Sequence, residues 1–393
     1  MAEHNDMSIS SDHRQPEKRD DYRFLNLTLY FLFAVGPLVG NAVLVLLGAI
    51  STQFAINPTS VLSAIPAFMF PFAVFQLFSG AISDSYGRVP VIAGGLIIFA
   101  VGLFMTAYAA TLEIFIMGNV VTGIGFGFVN PVLLALLTDT ARPPDIPKRM
   151  GIAAALASLS VGLGPFIAGQ MVVLGWQSYY LMFLIIVVFG LLAVTAAKRP
   201  PMISERRTGL SSFITHLERE LKRPIVLLIL VTTFLVALSY LGVFVWTSRG
   251  LSGVVNDGVI GLLLLGGGVS GGAAGSLLGS LTRRYGFRPI VIIGLTVASP
   301  IPIVGLALVS TGWAGGILFP TMITYSQIVS PEHRGVLAGV VTFSFFIGSA
   351  LIPIIFEPLF LMGLQLVYIA MSLVSVILVF FFIVLLRTIK TID

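Results

Sequence analysis

The sequence predicts an all-α membrane protein: twelve transmembrane helices arranged as two pseudo-symmetric six-helix bundles. Two observations carry that prediction. Of 393 residues 57% are hydrophobic and 10% charged, with a mean hydropathy of +1.02, whereas a soluble domain carries about 25% charged residues. Further, Gly80-Ala-Ile-Ser-Asp84-Ser-Tyr-Gly87-Arg88-Val-Pro90 returns in altered form as Gly279-Ser-Leu-Thr-Arg283-Arg-Tyr-Gly286-Phe-Arg288-Pro289. Each is a short charged loop between long apolar runs, and a bundle that repeats its loops is laid out like a transporter built from two halves.

Residues 1–23 are polar, lack the apolar core of a signal peptide and are expected to form a disordered cytosolic tail. Runs approaching the ~20 apolar residues needed to cross a bilayer fall near 24–50, 60–82, 89–108, 112–137, 151–174 and 178–197. A second set falls near 224–246, 256–281, 289–310, 312–329, 336–356 and 359–386. The expected units are thus an N-terminal bundle (24–197), a linker (198–223), a C-terminal bundle (224–386) and a short cytosolic tail (387–393). With the N-terminus inside, every Lys and Arg but Arg249 falls on the cytosolic side, which places both termini there. Short loops and the lack of cysteine suit a multi-pass protein of a prokaryotic cell (cytoplasmic) membrane.

Within the linker, Leu210, Phe213, Ile214, Leu217 and Leu221 recur at helical spacing, with Ser211 and Ser212 as candidate caps. Glu218, Arg219, Glu220 and Lys222 lie opposite, so an amphipathic tether along the membrane surface is expected.

The same composition excludes other classes. Without cysteine there is no disulfide or thiolate metal site, and the four histidines lie outside the apolar runs. No metal or cofactor is expected. The net charge of +5 follows the membrane and does not mark a nucleic-acid binder. Gly250-Leu-Ser252-Gly253 and Gly268-Val-Ser270-Gly271 spell a short serine-nucleophile string. No histidine stands in any span to act as its base, so no enzyme is expected.

Polar residues inside spans are costly and usually face the bundle interior. In span four, Asn119, Thr122, Phe126 and Asn130 share an arc of roughly 80° at helical spacing. Asn26, Tyr30, Phe33, Pro37 and Asn41 gather similarly in span one, while Tyr240, Tyr325, Gln327, Phe345 and Phe346 are candidates from the second half. Such a lining suits a neutral, lipophilic or amphipathic small molecule; hydrogen bonding between helices is the competing use of each amide. No Lys, Arg, Asp, Glu or His lies near the middle of a span, and Glu113, Asp257 and Glu357 fall at external helix ends. Gly162, Gly164 and Gly169 with Pro165 in span five, and Gly267, Gly271, Gly275 and Gly279 in span eight, form smooth faces for close helix contact.

The first loop resembles the cytosolic signature of the major facilitator superfamily, G-x-x-x-D-x-x-G-R-[KR]. Gly80, Asp84, Gly87 and Arg88 match it, and Val89 replaces the second base. Gly164-Pro165 with Ala168-Gly169 looks like the antiporter motif of the twelve-span drug:proton antiporters. Gly175-Trp176-Gln177-Ser178 and Pro331-Glu332-His333-Arg334-Gly335 are similar to two of that group's loops. The resemblance implies a monomeric secondary transporter, embedded in membrane lipid and working by alternating access, that exports lipophilic or amphipathic compounds in the manner of multidrug efflux. It also implies that Asp84 and Arg88 gate the cytosolic side, with Asp84 against the first turn of span eleven. Proton antiport is the coupling it implies, yet Asn119 stands where that group carries arginine and span one has no acid. Facilitated diffusion, coupling through Glu113 or Glu357, and import of a small uncharged metabolite therefore stay open.

Overall fold

The computed structural model describes residues 22–142, 145–197, 210–285 and 304–390, together with 289, 292 and 294. In hydrocarbon every backbone N–H and C=O needs an internal partner, so an apolar chain crosses as helix. Among the described residues eleven helices are long and apolar enough to do so. The first half holds span one (Arg23–Phe54), two (Ala64–Tyr86), three (Arg88–Ala107), four (Leu112–Asp139), five (Ile146–Met171) and six (Gln177–Ala196). The second holds span seven (Pro224–Leu251), eight (Asp257–Tyr285), ten (Val304–Val329), eleven (Arg334–Met362) and twelve (Leu364–Lys390). The expected ninth span, 289–310, falls largely outside the described residues, as do the N-terminal tail and residues 198–209.

One predicted boundary is corrected. Span ten begins at Val304, so residues 304–310 belong to it and not to the end of span nine. Thr311 and Gly312 resemble a turn in sequence, yet they lie mid-helix, with Thr311 donating to the Ala307 carbonyl over 2.6 Å. Gly312 is small because it meets a neighbour: a methyl there would overlap the carbonyl oxygen of Gly267 in span eight.

That contact is one half of a repeated geometry. Gly267 and Gly271 of span eight meet Gly312 and Gly316 of span ten. In the first half Phe68 and Phe72 of span two meet Gly123 and Gly127 of span four in the same register. Small residues let helices approach closely in lipid, and both bundles cross their second and fourth helices in this way. Gly87, at φ +94°, makes the tight turn between spans two and three that the sequence assigns to it.

We call the face carrying the chain's ends the tail face, and its opposite the far face. The halves meet along two seams, span five against span eight and span two against span eleven. Near the far face the first seam is tight: Gly169 lies on the Asp257 backbone, Gly261 on Pro165 and Gly162 on Gly268. Toward the tail face it loosens. Gly151 lies on the same face of span five as Gly162, about three turns away, and a methyl there meets nothing within 4 Å. Gly80 of span two, Gly279 of span eight and Gly335 of span eleven are equally free. The seam is shut at the far face and splayed at the tail face.

The linker helix (Leu210–Leu221) lies over the tail face between spans two and eleven. Phe213 sets its ring edge-on to Phe78 of span two at 6.0 Å. Lys222 and Glu218 pair in solvent at 2.6 Å, as the helical pattern predicts. Glu220 does not join them on the exposed face: it is 3% exposed. The Ser330 hydroxyl donates to it at 2.9 Å, the Arg223 guanidinium at 2.8 Å, and the His333 ring lies 3.0 Å away. Arg223 also donates to the Val329 carbonyl at 3.1 Å. The expectation fails because periodicity shows which residues share a face, not whether a polar face meets water or a polar loop.

Burial pushes the Glu220 carboxyl upward, but hydrogen bonds from Arg223, Ser330 and His333 and the charge of Arg223 outweigh it and hold the group below its usual value. A carboxylate depressed on docking stabilises the docked helix above its free pKa and loses that contribution as pH falls through the docked value. Limited proteolysis of the linker should therefore be slow and flat near neutrality and quicken only below the usual glutamate range, and Glu220→Gln should quicken it at pH 7. Gly312→Ala should lower the melting temperature of the purified protein, by about 1–3 kcal/mol of overpacking, while Gly279→Ala should leave it unchanged.

Candidate functional site

Asn41, one of the predicted cavity residues, lines a cavity. Its amide donates to the Pro37 carbonyl one turn back at 2.8 Å. With Leu44 of span one, Ile65 and Met69 of span two, Phe244 of span seven and Ser349 of span eleven it lines a small cavity between the halves. Ser349 likewise returns its hydroxyl to its own helix, at the Phe345 carbonyl (2.9 Å). The cavity is apolar, with one amide and one hydroxyl, and both halves contribute.

An aromatic chain runs beneath it from one half into the other. Phe99 of span three and Phe72 of span two flank Phe126 of span four at 5.7 and 5.3 Å. Phe72 then meets Phe346 of span eleven edge-on at 4.5 Å. Phe346 meets Phe345 at 5.4 Å, and Phe345 packs on Phe319 of span ten at 4.2 Å. Phe126 is itself a core residue, since a methyl on Gly36 of span one would overlap its ring. Tyr240 packs against Gly315 of span ten and edge-on to Phe244 at 5.4 Å. Tyr325 is buried in span ten.

The polar arc of span four does not assemble into a lining. Thr122 donates to the Gly118 carbonyl at 2.6 Å and lies against Gly102 of span three, inside its own half. Asn119 is buried and returns its amide to the Phe115 carbonyl at 2.8 Å. Asn130, nearer the tail face, is half-buried. In span one Asn26 accepts from Thr140 at 2.7 Å and from Arg149 at 3.1 Å, and Tyr30 donates to the Arg149 carbonyl at 3.5 Å. These groups tie span one to the junction of spans four and five. Of the amides, Asn26 bonds between helices, whereas Asn41 and Asn119 return theirs to their own helix.

Sequence reasoning missed the span-two face. Ile65, Met69, Phe72, Gln76 and Gly80 fall within about 60–80° of one another at helical spacing, and this face turns to the other half. Gln76 is 5% exposed, and its amide nitrogen meets no acceptor among the described residues. Only the recurrence of these residues up to Gly80 of the loop could have revealed the face, because apolar residues in a span look alike whether they meet lipid or a cavity.

At the tail face Arg88 forms ion pairs with Asp84 at 2.5 Å and Asp139 at 3.1 Å, and donates to Ser83 at 2.6 Å. Asp139, the last residue of span four, is a member the sequence did not suggest. Among the described residues Asp84 pairs with Arg88 of its own half. In span five Gly162 and Gly169 face span eight across the seam, whereas Gly164 packs on Leu38 of span one. Pro165 lies inside the helix with its carbonyl against Gly261. Glu113 and Glu357 are both exposed on the far-face ends of spans four and eleven, away from the cavity. Asp257 is half-buried at the seam, close to Gly48 of span one.

A family model described as Major Facilitator Superfamily matches residues 29–314. An uncharacterized MFS-type transporter of Bacillus subtilis (strain 168), YceJ, is 25% identical over 341 residues, which cover 82% of this chain and 86% of that one. The methylenomycin A resistance protein of the same organism is 32% identical over 188 residues, 47% of this chain and 39% of its own length. Among solved structures, a mutant of the nucleoside transporter NupG superposes with a TM-score of 0.71 at 13% identity, covering 92% of this chain and 99% of that one.

The aromatic bridge between the halves should be energetically coupled. Phe72→Ala and Phe346→Ala should each lower the melting temperature, and the double variant should lose less than their sum, by about 0.5–1.5 kcal/mol; strict additivity would count against the contact.

Proposed function

Since the chain belongs to the major facilitator superfamily, we propose that it is a secondary transporter that exports lipophilic or amphipathic small molecules by alternating access. The tail face is then the cytosolic face, because among the described residues every Lys and Arg but Arg249 lies there. The observation that carries the reading is the shape of the seam: shut outside, splayed toward the cytosol, with a nearly uncharged cavity between the halves. This arrangement reads as an inward-facing one, in which the Phe72–Phe346 contact stands between the splayed side and the cavity.

The lining sets the substrate class. Among the described residues neither a guanidinium nor an ammonium lines the cavity, so phosphorylated or multiply anionic solutes have no clamp. The cavity in this arrangement is too small for a drug-sized solute; its apolar walls, with the Asn41 amide and the Ser349 hydroxyl, suit a hydrophobic body with one or two polar groups once it widens. Likeness to a methylenomycin A resistance protein supports export over import. Import or facilitated passage of a small uncharged metabolite is the second reading, favoured by the absence of a titratable group from the cavity lining. Proton coupling, if present, then falls to acids at the margins; Asp257, half-buried on the seam, is better placed than Glu113 or Glu357.

Asp84, Arg88 and Asp139 form the cytosolic gate in this reading. When the cytosolic side closes, Asp84 exchanges part of its pairing with Arg88 for the first turn of span eleven, where a helix N-terminus favours an anion.

Uptake of a lipophilic cationic dye, supplied outside inverted membrane vesicles, tests the proposal. Energised vesicles should accumulate the dye, and collapse of the pH gradient should abolish accumulation if export is proton-driven. Gradient-independent exchange of a neutral metabolite with no dye uptake would instead establish the second reading. Asp84→Asn should slow transport about tenfold, a charge-assisted contact being worth roughly 1.5–3 kcal/mol, with expression near normal; an unchanged rate would remove the gate.

A further inference from the structure

Arg249 is the one base that the charge asymmetry leaves outside, and the export mechanism gives it no part. It stands in the last turn of span seven, half-buried. Its guanidinium carbon lies 4.8 Å from the centroid of the Phe360 ring in span eleven. Phe360 in turn lies against Trp246, one turn before Arg249 in span seven, at 4.9 Å. The ring is thus held between an indole and a guanidinium, and the stack aims the cation at the other half. There its Nε donates to the Thr59 hydroxyl at 3.0 Å. Thr59 is 7% exposed and belongs to the short helix Pro58–Val61 before span two, whose start is fixed by Asn57 accepting the Thr59 N–H at 2.9 Å.

Two neutral contacts cross the seam at the same level. The Ser248 hydroxyl donates to the Leu44 carbonyl of span one, and the Gln170 amide of span five donates to the Gly258 carbonyl at 3.3 Å. Arg249 alone brings a formal charge to this group of crossings. A charged donor makes the stronger hydrogen bond, and a cation over an aromatic face is attracted to it whichever way the gate stands. Phe360 and Trp246 move with Arg249, being in the same half, whereas Thr59 does not.

On the alternating-access reading, we propose that Arg249 is the latch of the external gate. Stacked on Phe360, it holds Thr59 of the opposite half while the outer mouth is shut, and it releases Thr59 to water when that mouth opens. Water then solvates both partners, so the latch weights the inward-facing form without locking it. Its residue is chosen for geometry as well as charge: a planar guanidinium lies flat on a ring and still presents an N–H sideways, which an ammonium does not.

The test exploits the absence of native cysteine. Ile65→Cys places the only thiol in the cavity wall on the outer side of span two, and Asn130→Cys places one on the cytosolic side of span four. Labelling of the first by a membrane-impermeant maleimide from outside should be slow in the parent and about tenfold faster with Arg249→Ala. Arg249→Lys should fall between. Thr59→Val, which removes only the acceptor and leaves the cation in place, should reproduce most of the alanine effect and guards against misfolding of the arginine variants. In inverted vesicles the same substitutions should slow labelling of Asn130→Cys. Unchanged outer labelling in both Arg249→Ala and Thr59→Val would overturn the latch, as would an effect of Arg249→Ala with none of Thr59→Val, which would make Arg249 a headgroup anchor. Faster outer labelling with no change at Asn130→Cys would keep the outer contact but defeat the alternating-access reading on which the latch depends.

Discussion

In hydrocarbon, helices gain little from hiding apolar side chains from one another, so association rests on how closely their backbones approach. Span eight meets that constraint on two sides. One glycine strip, Gly267 and Gly271, lies on span ten within its own half, and a second, Gly261, Gly268 and Gly272, lies on span five of the other half. The first strip is reinforced by interlocking side chains, with Tyr240 wedged against Gly315 beside it. The second meets Gly162 and the span-five backbone, with the Leu159 side chain against Gly272.

The same physics decides how much of the molecule is legible in residue order. The bundles were legible because hydropathy contrasts lipid with water, and the ends of most helices fall within a few residues of the apolar runs. The boundary before span ten was not, since Thr311 and Gly312 have the composition of a turn while serving a close helix contact. Only the partner Gly267, distant in sequence, tells the two apart. The site was less legible than the fold. Asn119 and Thr122 satisfy themselves on their own helix, at Phe115 and Gly118, so polarity within a span does not require a cavity. Conversely, Ile65 and Met69 line the cavity with side chains indistinguishable from lipid-facing ones. Hydropathy has no contrast between a dry cavity and a bilayer.

The polar caps at the tail-face ends show where the two halves part company chemically. In each half a guanidinium closes the last turn of the fourth helix, Arg149 at the Leu137 carbonyl (3.0 Å) and Arg223 at the Val329 carbonyl (3.1 Å). Arg149 comes from span five and is completed by the neutral Asn26 and Thr140. Arg223 comes from the start of span seven and is completed by Glu220 of the linker. One bundle is thus capped by its own helices, whereas the other draws on the connecting segment. That ties the linker to the second half by several hydrogen bonds, while Phe213 packs on Phe78 of the first.

A transporter of this design needs two arrangements separated by only a few kcal/mol, and the contacts across the seam are of a kind that allows it. A broad interdigitated apolar interface would hold one arrangement too firmly, since each buried large side chain contributes about 1.5–3 kcal/mol. Here glycine contacts bury little side-chain area, and the crossing hydrogen bonds of Ser248, Gln170 and Arg249 exchange for bonds to water when the outer mouth opens, which limits each to roughly 0.5–3 kcal/mol. Phe72 on Phe346 is the exception, an apolar contact across the mid-plane. It lies beneath the cavity, where the alternating access we propose would let a contact persist while both ends move.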